Sequence, residues 1–168
     1  LSDTKDLILE LEQFTSWVLS LQTIEERLFF KPIKEGKWSP AEIITHITFW
    51  DRYIVDEMLP AMNQNAKIES VEFEVINSRA SKHAMSGISK KQIIDNQIIA
   101  RNNVISLLRE KTDEEFFAKF TLNGEEIDPY SGYPHTMYNY FAGFAWHDNH
   151  HKKQIEVFLN ENSITLLK

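Results

Sequence analysis

The sequence of 168 residues contains no cysteine. That excludes a disulfide scaffold, a thiolate metal site, an iron–sulfur cluster and a cysteine nucleophile together. Glycine and proline number five each, and a chain with so few breakers favours long helices over tight turns. Basic charge is short as well: 18 Lys and Arg stand against 25 Asp and Glu, a net charge of −7. A sequence-independent nucleic-acid binder needs a basic stripe to displace counterions, so nucleic acid is not an expected partner. No uninterrupted apolar run approaches the ~18–20 residues that span a bilayer. The first residues, Leu1 to Asp6, lack the apolar stretch of a signal peptide and begin without methionine. The start therefore reads as processed or trimmed, and the expectation is a soluble cytoplasmic protein.

What is present has ordinary globular proportions, 42% hydrophobic and 26% charged. The length fits a single domain over residues 1–168, with enough chain to bury a core. Four long segments carry helical periodicity. In the first, from Thr4 to Phe30, Leu7, Leu11, Phe14, Val18 and Leu21 form one stripe before Lys31-Pro32 and Gly36 break it. The second opens on Ser39-Pro40-Ala41-Glu42, a capping-box serine with proline at the first helical position. Its stripe is Ile43, Ile47, Trp50, Ile54 and Met58, ending at Leu59-Pro60.

Residues 60–88 read as a long connection with room for a short, weakly periodic helix between Ile68 and Met85. A third helix starts at Ser89-Lys90-Lys91-Gln92 and buries Ile93 or Ile94, Gln97, Ile98, Arg101, Val104, Ile105 and Leu108. Thr112-Asp113-Glu114-Glu115 starts a short segment through Phe116, Phe117 and Phe120. Asn123-Gly124, Asp128-Pro129, Ser131-Gly132 and Pro134 then mark a hairpin-like loop. The last helix runs from Pro134 to Asn160. The pattern is an all-α four-helix bundle with a long connection between helices 2 and 3.

Histidine is the residue to explain: there are six, with His147, His150 and His151 inside five positions. On a wheel of 100° per residue with His147 at zero, His151 falls at about 40°, Tyr140 and Phe158 at about 20°, Gln154 near about −20° and Phe144 near about 60°. His147 and His151 thus sit one turn apart on the stripe read as core-facing, while His150 lies on the flank. Two imidazoles at i and i+4 can chelate one cation. The other readings are a hydrogen-bonded core pair, with a partner for each ring, and a solvated helix end. A metal needs a third ligand. His46, at the border of the second stripe, is the favoured one over a carboxylate, His83 and His135, the latter two read as ordinary surface residues. Glu57 is too far along the helix to share the ion.

Two segments carry a resemblance. Trp38-Ser39-Pro40-Ala41-Glu42-Ile43-Ile44-Thr45-His46-Ile47 and His147-Asp148-Asn149-His150-His151-Lys152-Lys153-Gln154-Ile155 resemble the W-S-x-x-E-I-x-x-H and H-x-x-x-H-x-x-Q-I segments of the DinB/YfiT-like proteins. Gly124 followed by Tyr138-Asn139-Tyr140 resembles the family's loop and helix entry. The resemblance implies a four-helix bundle, often a homodimer, binding a divalent metal (nickel or zinc) through His46, His147 and His151. Many members carry Arg-Gly where this chain has Lys152-Lys153; that departure leaves the ligands in place and alters the packing beside them.

Three neutral imidazoles leave an open coordination position and an uncompensated 2+ charge, which acidifies bound water or thiol. The reaction the resemblance implies first is activation of an external low-molecular-weight thiol for transfer to an electrophile, with a small molecule as partner. The alternatives are metal-dependent hydrolysis through bound hydroxide and a metal- or ligand-binding bundle without turnover. No general acid or base is assigned; Asp148, Glu42, Tyr138 and Tyr140 are the candidates, with solvation or a structural role favoured for Asp148 and packing for Tyr140. Trp38, Trp50 and Trp146 are expected to pack, and Trp17 to cover the edge of the first helix.

Overall fold

The computed structural model describes residues 2–164 and 166; the first and last residues of the 1–168 expectation lie outside the described residues. The first helix, α1 (Ser2–Ser20), buries Leu7, Leu11, Phe14 and Val18, and the fifth stripe residue, Leu21, is buried in the turn that follows. It does not run on to Phe30. A 3₁₀ turn (Leu21–Thr23) and an extended Ile24 separate it from a short α2 (Glu26–Phe29). Two features end it. The Thr23 hydroxyl donates back to the Ser20 carbonyl at 2.9 Å, and the Lys90 ammonium takes the freed carbonyls of Gln22 and Ile24. The bend turns Ile24, Leu28 and Phe29 into the core.

Helix α3 (Pro40–Tyr53) begins as its sequence dictates. Ser39 accepts from the Glu42 N–H while Glu42 accepts from the Ser39 N–H, the reciprocal capping box, with proline at the first position. A π-helical turn (Ile54–Met58) follows, in which the Leu59 N–H reaches the Ile54 carbonyl, and α4 (Leu59–Ala61) closes the segment. Pro60 offers no N–H and its ring crowds the carbonyl four residues back, which accounts for the wide turn before it.

The long connection holds more structure than its periodicity suggests: a two-residue strand β1 (Lys67–Ile68) and the twelve-residue α5 (Phe73–Ala84). Helix α6 (Lys90–Arg109) is capped by Ser89, whose hydroxyl accepts from Gln92 N–H. A second reciprocal capping box, Thr112 with Glu115, starts α7 (Asp113–Phe117). Strand β2 (Thr121–Leu122) pairs parallel with β1, Lys67 opposite Thr121 and Ile68 opposite Leu122. The hairpin-like loop is present, with bridges Leu122–Glu125 and Ile127–Pro134. Helix α8 (Met137–Glu161) completes a four-helix bundle of α1, α3, α6 and α8. No helix among the described residues is long and apolar enough to cross a membrane.

The side-chain pairings give the helix directions. Thr48 meets Gln97 and Asp51 meets Arg101, so α3 and α6 run parallel. Along α3, Glu42 meets Ser81, His46 meets Asn77 and Trp50 meets Phe73, so α5 runs antiparallel to it. The long connection therefore returns the chain along α3, and α6 then descends beside its parallel neighbour. The core falls into two apolar clusters. One gathers Leu7, Leu11, Ile54, Met58, Val104, Leu108 and Phe141; the other gathers Phe14, Val18, Ile43, Ile47, Ile94, Ile155 and Phe158. Between them, at mid-height, lies a polar belt: His46 and Asp51 on α3, Gln97 and Arg101 on α6, His147, Asp148 and His151 on α8.

Candidate metal centre

The three predicted histidines converge. His46 Nε2 stands 3.2 Å from His147 Nε2, and His151 Nε2 stands 3.0 Å from the same atom. One ligand atom from each of the three residues lies within 4.8 Å of the others. Imidazole nitrogens bound about 2.0–2.1 Å from one tetrahedral ion stand roughly 3.3 Å apart, and the observed spacings are close to that, so the three residues could hold one ion.

Their protonation supports the same conclusion. The Trp50 indole N–H, which can only donate, points at Asn77 Oδ1 at 3.1 Å. That identifies the amide atom as oxygen, so His46 Nδ1, 2.7 Å from it, carries a proton and donates. The His46 Nε2 is then a bare lone pair. His151 Nδ1 donates likewise to Gln154 Oε1 at 2.8 Å, leaving its Nε2 bare. Both lone pairs face His147 Nε2, which has at most one proton to share between them. A cation uses all three lone pairs at once; neutral imidazoles alone cannot satisfy the arrangement.

Electrostatics keep the rings in the ligand form. Burial, then the neighbouring His151, pushes His46 down to about 4; Asn77 only partly opposes this. Burial, then His151 and His46, pushes His147 down to about 3. His151 is lowered by burial and by His150, against the bond to Gln154. The metal-free protein should therefore lose stability as pH falls from 6.5 toward 4, because the unfolded chain takes up protons that the folded rings refuse. His46 alone accounts for on the order of 3 kcal/mol. Asp148 works in the opposite direction, since burial raises it to about 6 and its folded form binds the proton more readily. It offsets one histidine and not all three. Urea midpoints of metal-stripped protein between pH 7 and 4.5 check this, and a flat profile would contradict the placement of the rings.

The wheel reading needs two corrections. The buried residues of α8 are Met137, Phe141, Ala145, Asp148, Ile155, Phe158 and Leu159, while His147 and His151 are half-buried. The true core stripe is rotated by roughly 100° from His147, with Asp148 at its centre. Of the residues taken as core markers Phe158 is buried, whereas Tyr140, Phe144 and Gln154 are half-buried along the edge of α8. His46, read as a border residue, is instead 5% exposed. The site thus lies at the margin of the bundle. Trp38 lies 5.0 Å and Trp50 6.5 Å from the His46 ring, and Phe144 5.9 Å from that of His147.

The remaining histidines contribute no atom to the cluster, although the His150 ring lies 5.4 Å from that of His151. His150 is exposed and stacks on Trp146, 5.3 Å away at 6°, as its flank position predicts. Trp146 itself is 69% exposed and does not pack in the core as expected. His135 is buried against Phe120, and His83 is half-buried against Phe49, so neither is the ordinary surface residue predicted.

The acid–base candidates are committed elsewhere. Glu42 serves the capping box through Oε1 and takes the Ser81 hydroxyl on Oε2 at 2.6 Å. Asp148 is buried in an ion pair with Arg101 at 2.7 Å, which bears out its structural reading. Tyr138 stacks on Phe117, and Tyr140 is held above the usual tyrosine range by burial. Sequence reasoning missed Asn77, which lies in a connection of weak periodicity; the spacing Ile76, Ala80, Ala84, all buried, was its only signal. It also gave no role to Gln154, although its place three residues after His151 puts it within reach.

The fold compares closely with two solved structures. YfiT from Bacillus subtilis, described as a probable metal-dependent hydrolase with an unusual four-helix bundle topology, is 15% identical with a TM-score of 0.75, over 96% of this chain and 89% of that one. An uncharacterised protein from Escherichia coli UTI89 is 14% identical with a TM-score of 0.68, over 97% and 96%. No curated protein matches the chain in sequence. The sequence pattern of the DinB superfamily matches residues 10–155, spanning His46, His147, His151 and most of the bundle, and the chain belongs to that superfamily.

Proposed function

We propose that the protein is a divalent-metal-dependent enzyme, a single domain in which His46, His147 and His151 hold the ion and an external low-molecular-weight thiol is activated for transfer to an electrophile. The observation that carries the metal is the convergence of three imidazole nitrogens, two of them bare because Asn77 and Gln154 take the opposite protons. A divalent ion there supplies Lewis acidity that lowers the pKa of a bound nucleophile. Three imidazoles suit nickel or zinc.

What the chain itself does favours a thiol. Glu42 and Asp148, the carboxylates nearest in sequence to the ligands, are held by Ser39, Ser81 and Arg101. Neither is free to take a proton from water. A thiol with an ordinary pKa near 8.5 needs far less acidification than water near 15.7. The chain has no cysteine, so the sulfur comes from a cosubstrate, in keeping with a reduced cytoplasmic setting. In the transfer, sulfur forms a bond to carbon of the electrophile as the leaving group departs with its electron pair, and the thiol proton goes to solvent. A homodimer belongs to this reading.

The second reading, hydrolysis, is favoured by the description of YfiT. Zinc- or nickel-loaded protein, assayed with a thiol panel and a chromogenic alkylating agent and separately with ester and amide substrates, separates the two. Thiol consumption at least tenfold above the uncatalysed rate is expected. Turnover only of esters or amides replaces this reading with hydrolysis; metal binding with neither activity leaves a non-catalytic bundle. Purified protein that takes up no divalent ion would end the metal reading altogether.

A further inference from the structure

The helices that carry the histidines touch each other little. Helix α3 packs chiefly on α5 and α6, and α8 chiefly on α1. Something other than a shared interface must set the distance between His46 and the α8 pair. The Arg101 guanidinium of α6 stands where it can. Its Nε and Nη2 donate to Asp51 at 3.0 and 3.2 Å, its Nη1 and Nη2 to Asp148 at 2.7 and 3.1 Å, and its Nη1 to the Leu11 carbonyl at 3.0 Å. All five donors are used. Asp51 is held again by Gln97 at 2.9 Å, and Gln97 by Thr48 at 2.6 Å. Asp51 follows His46 by five residues on α3, and Asp148 adjoins His147 on α8.

We propose that Arg101 is a positioning residue for the metal centre: by gripping Asp51 and Asp148 together it fixes α3 against α8 and so fixes the spacing of His46 from His147. The inference rests on the metal reading above. The planar guanidinium fork is rigid, and helices transmit a carboxylate's displacement to the ring on the same or next turn. A buried ion network is weak evidence of stability, since apolar residues of the same volume often serve as well. A role in register is one that apolar residues of the same volume could not fill. Lysine in its place keeps the charge and loses the fork, so it cannot hold both carboxylates in the same plane.

The test measures Zn²⁺ and Ni²⁺ dissociation constants by chelator competition for wild type, Arg101→Lys and Asp148→Asn. It adds the visible spectrum of each cobalt-loaded protein and far-ultraviolet circular dichroism for folding. Affinity is expected to fall about 10- to 100-fold in both variants, the range seen for groups that orient metal ligands. The cobalt spectrum should change while helicity stays that of wild type. Should Arg101→Lys not fold, Asp148→Asn carries the comparison, because it leaves the bonds of Arg101 to Asp51 and Leu11 in place. Folded variants with wild-type affinity and spectrum overturn the inference and leave the metal reading standing. Wild type that binds no ion fails both.

Discussion

Arg101→Met destabilises the protein by about 3–5 kcal/mol, the cost of leaving buried charge without its partner. Arg101 is 1% exposed, and Asp51 and Asp148 are 1% and 3% exposed. Methionine fills much of the arginine's volume, so the loss is electrostatic rather than a cavity. Two carboxylates are left facing each other in a belt between apolar clusters, and the Leu11 carbonyl loses its donor as well. The cation lying 5.1 Å over the Phe14 ring is removed too. At about 2–4 °C per kcal/mol for a chain of this size, the melting temperature falls by roughly 10 °C. Guanidinium denaturation at pH 7.5 measures it. A loss under about 1 kcal/mol would mean that the carboxylates reach water or are protonated in the fold.

The second large effect belongs to the ligands. His147→Ala removes the nitrogen that both other rings approach, and divalent-ion affinity is expected to fall at least 100-fold. At an ion concentration 100 times the wild-type dissociation constant, binding stabilises wild type by about 2.7 kcal/mol; the variant should show almost none of it. His150→Ala serves as the control. His150 is exposed, stacks on Trp146 and contributes no atom to the cluster, so its removal should leave affinity within twofold. Equal loss in both variants would point to a surface site along α8 in place of the buried cluster.

Much of this site was legible because helical periodicity is local. The i, i+4 spacing of His147 and His151 needs one helix and nothing else, and the structure places both rings on a common point. His46 was favoured as third ligand from its place at the border of the second stripe, and the resemblance added to that reading. Asn77 was not legible. Its helix buries Ile76 and the two small residues Ala80 and Ala84, and its role depends on meeting Trp50 and His46 some thirty residues away. The core face of α8 was misread by the same limit. Tyr140, Phe144 and Gln154 look like a core stripe on a wheel, whereas Asp148, which belongs at its centre, looks like a surface residue until Arg101 is placed beside it.

Local chemistry in the sequence determined where α3, α6 and α7 begin. Ser39 with Glu42 and Thr112 with Glu115 close capping boxes from four consecutive residues, and Ser89 caps α6 by accepting from the Gln92 N–H. It also determined which stripes are buried on α1, α3 and α6, because a 3.6-residue repeat needs no partner to be read. It determined that any metal here must sit on imidazole or oxygen, because cysteine is absent. Only the tertiary structure decided the direction of the helices. The return of the chain along α5 makes α6 parallel to α3, and that brings Arg101 level with Asp51 and, across the bundle, with Asp148. A buried charge is stable only beside its counter-charge. Which residues fill that role depends on how four helices are arranged in space, and no single segment carries that information.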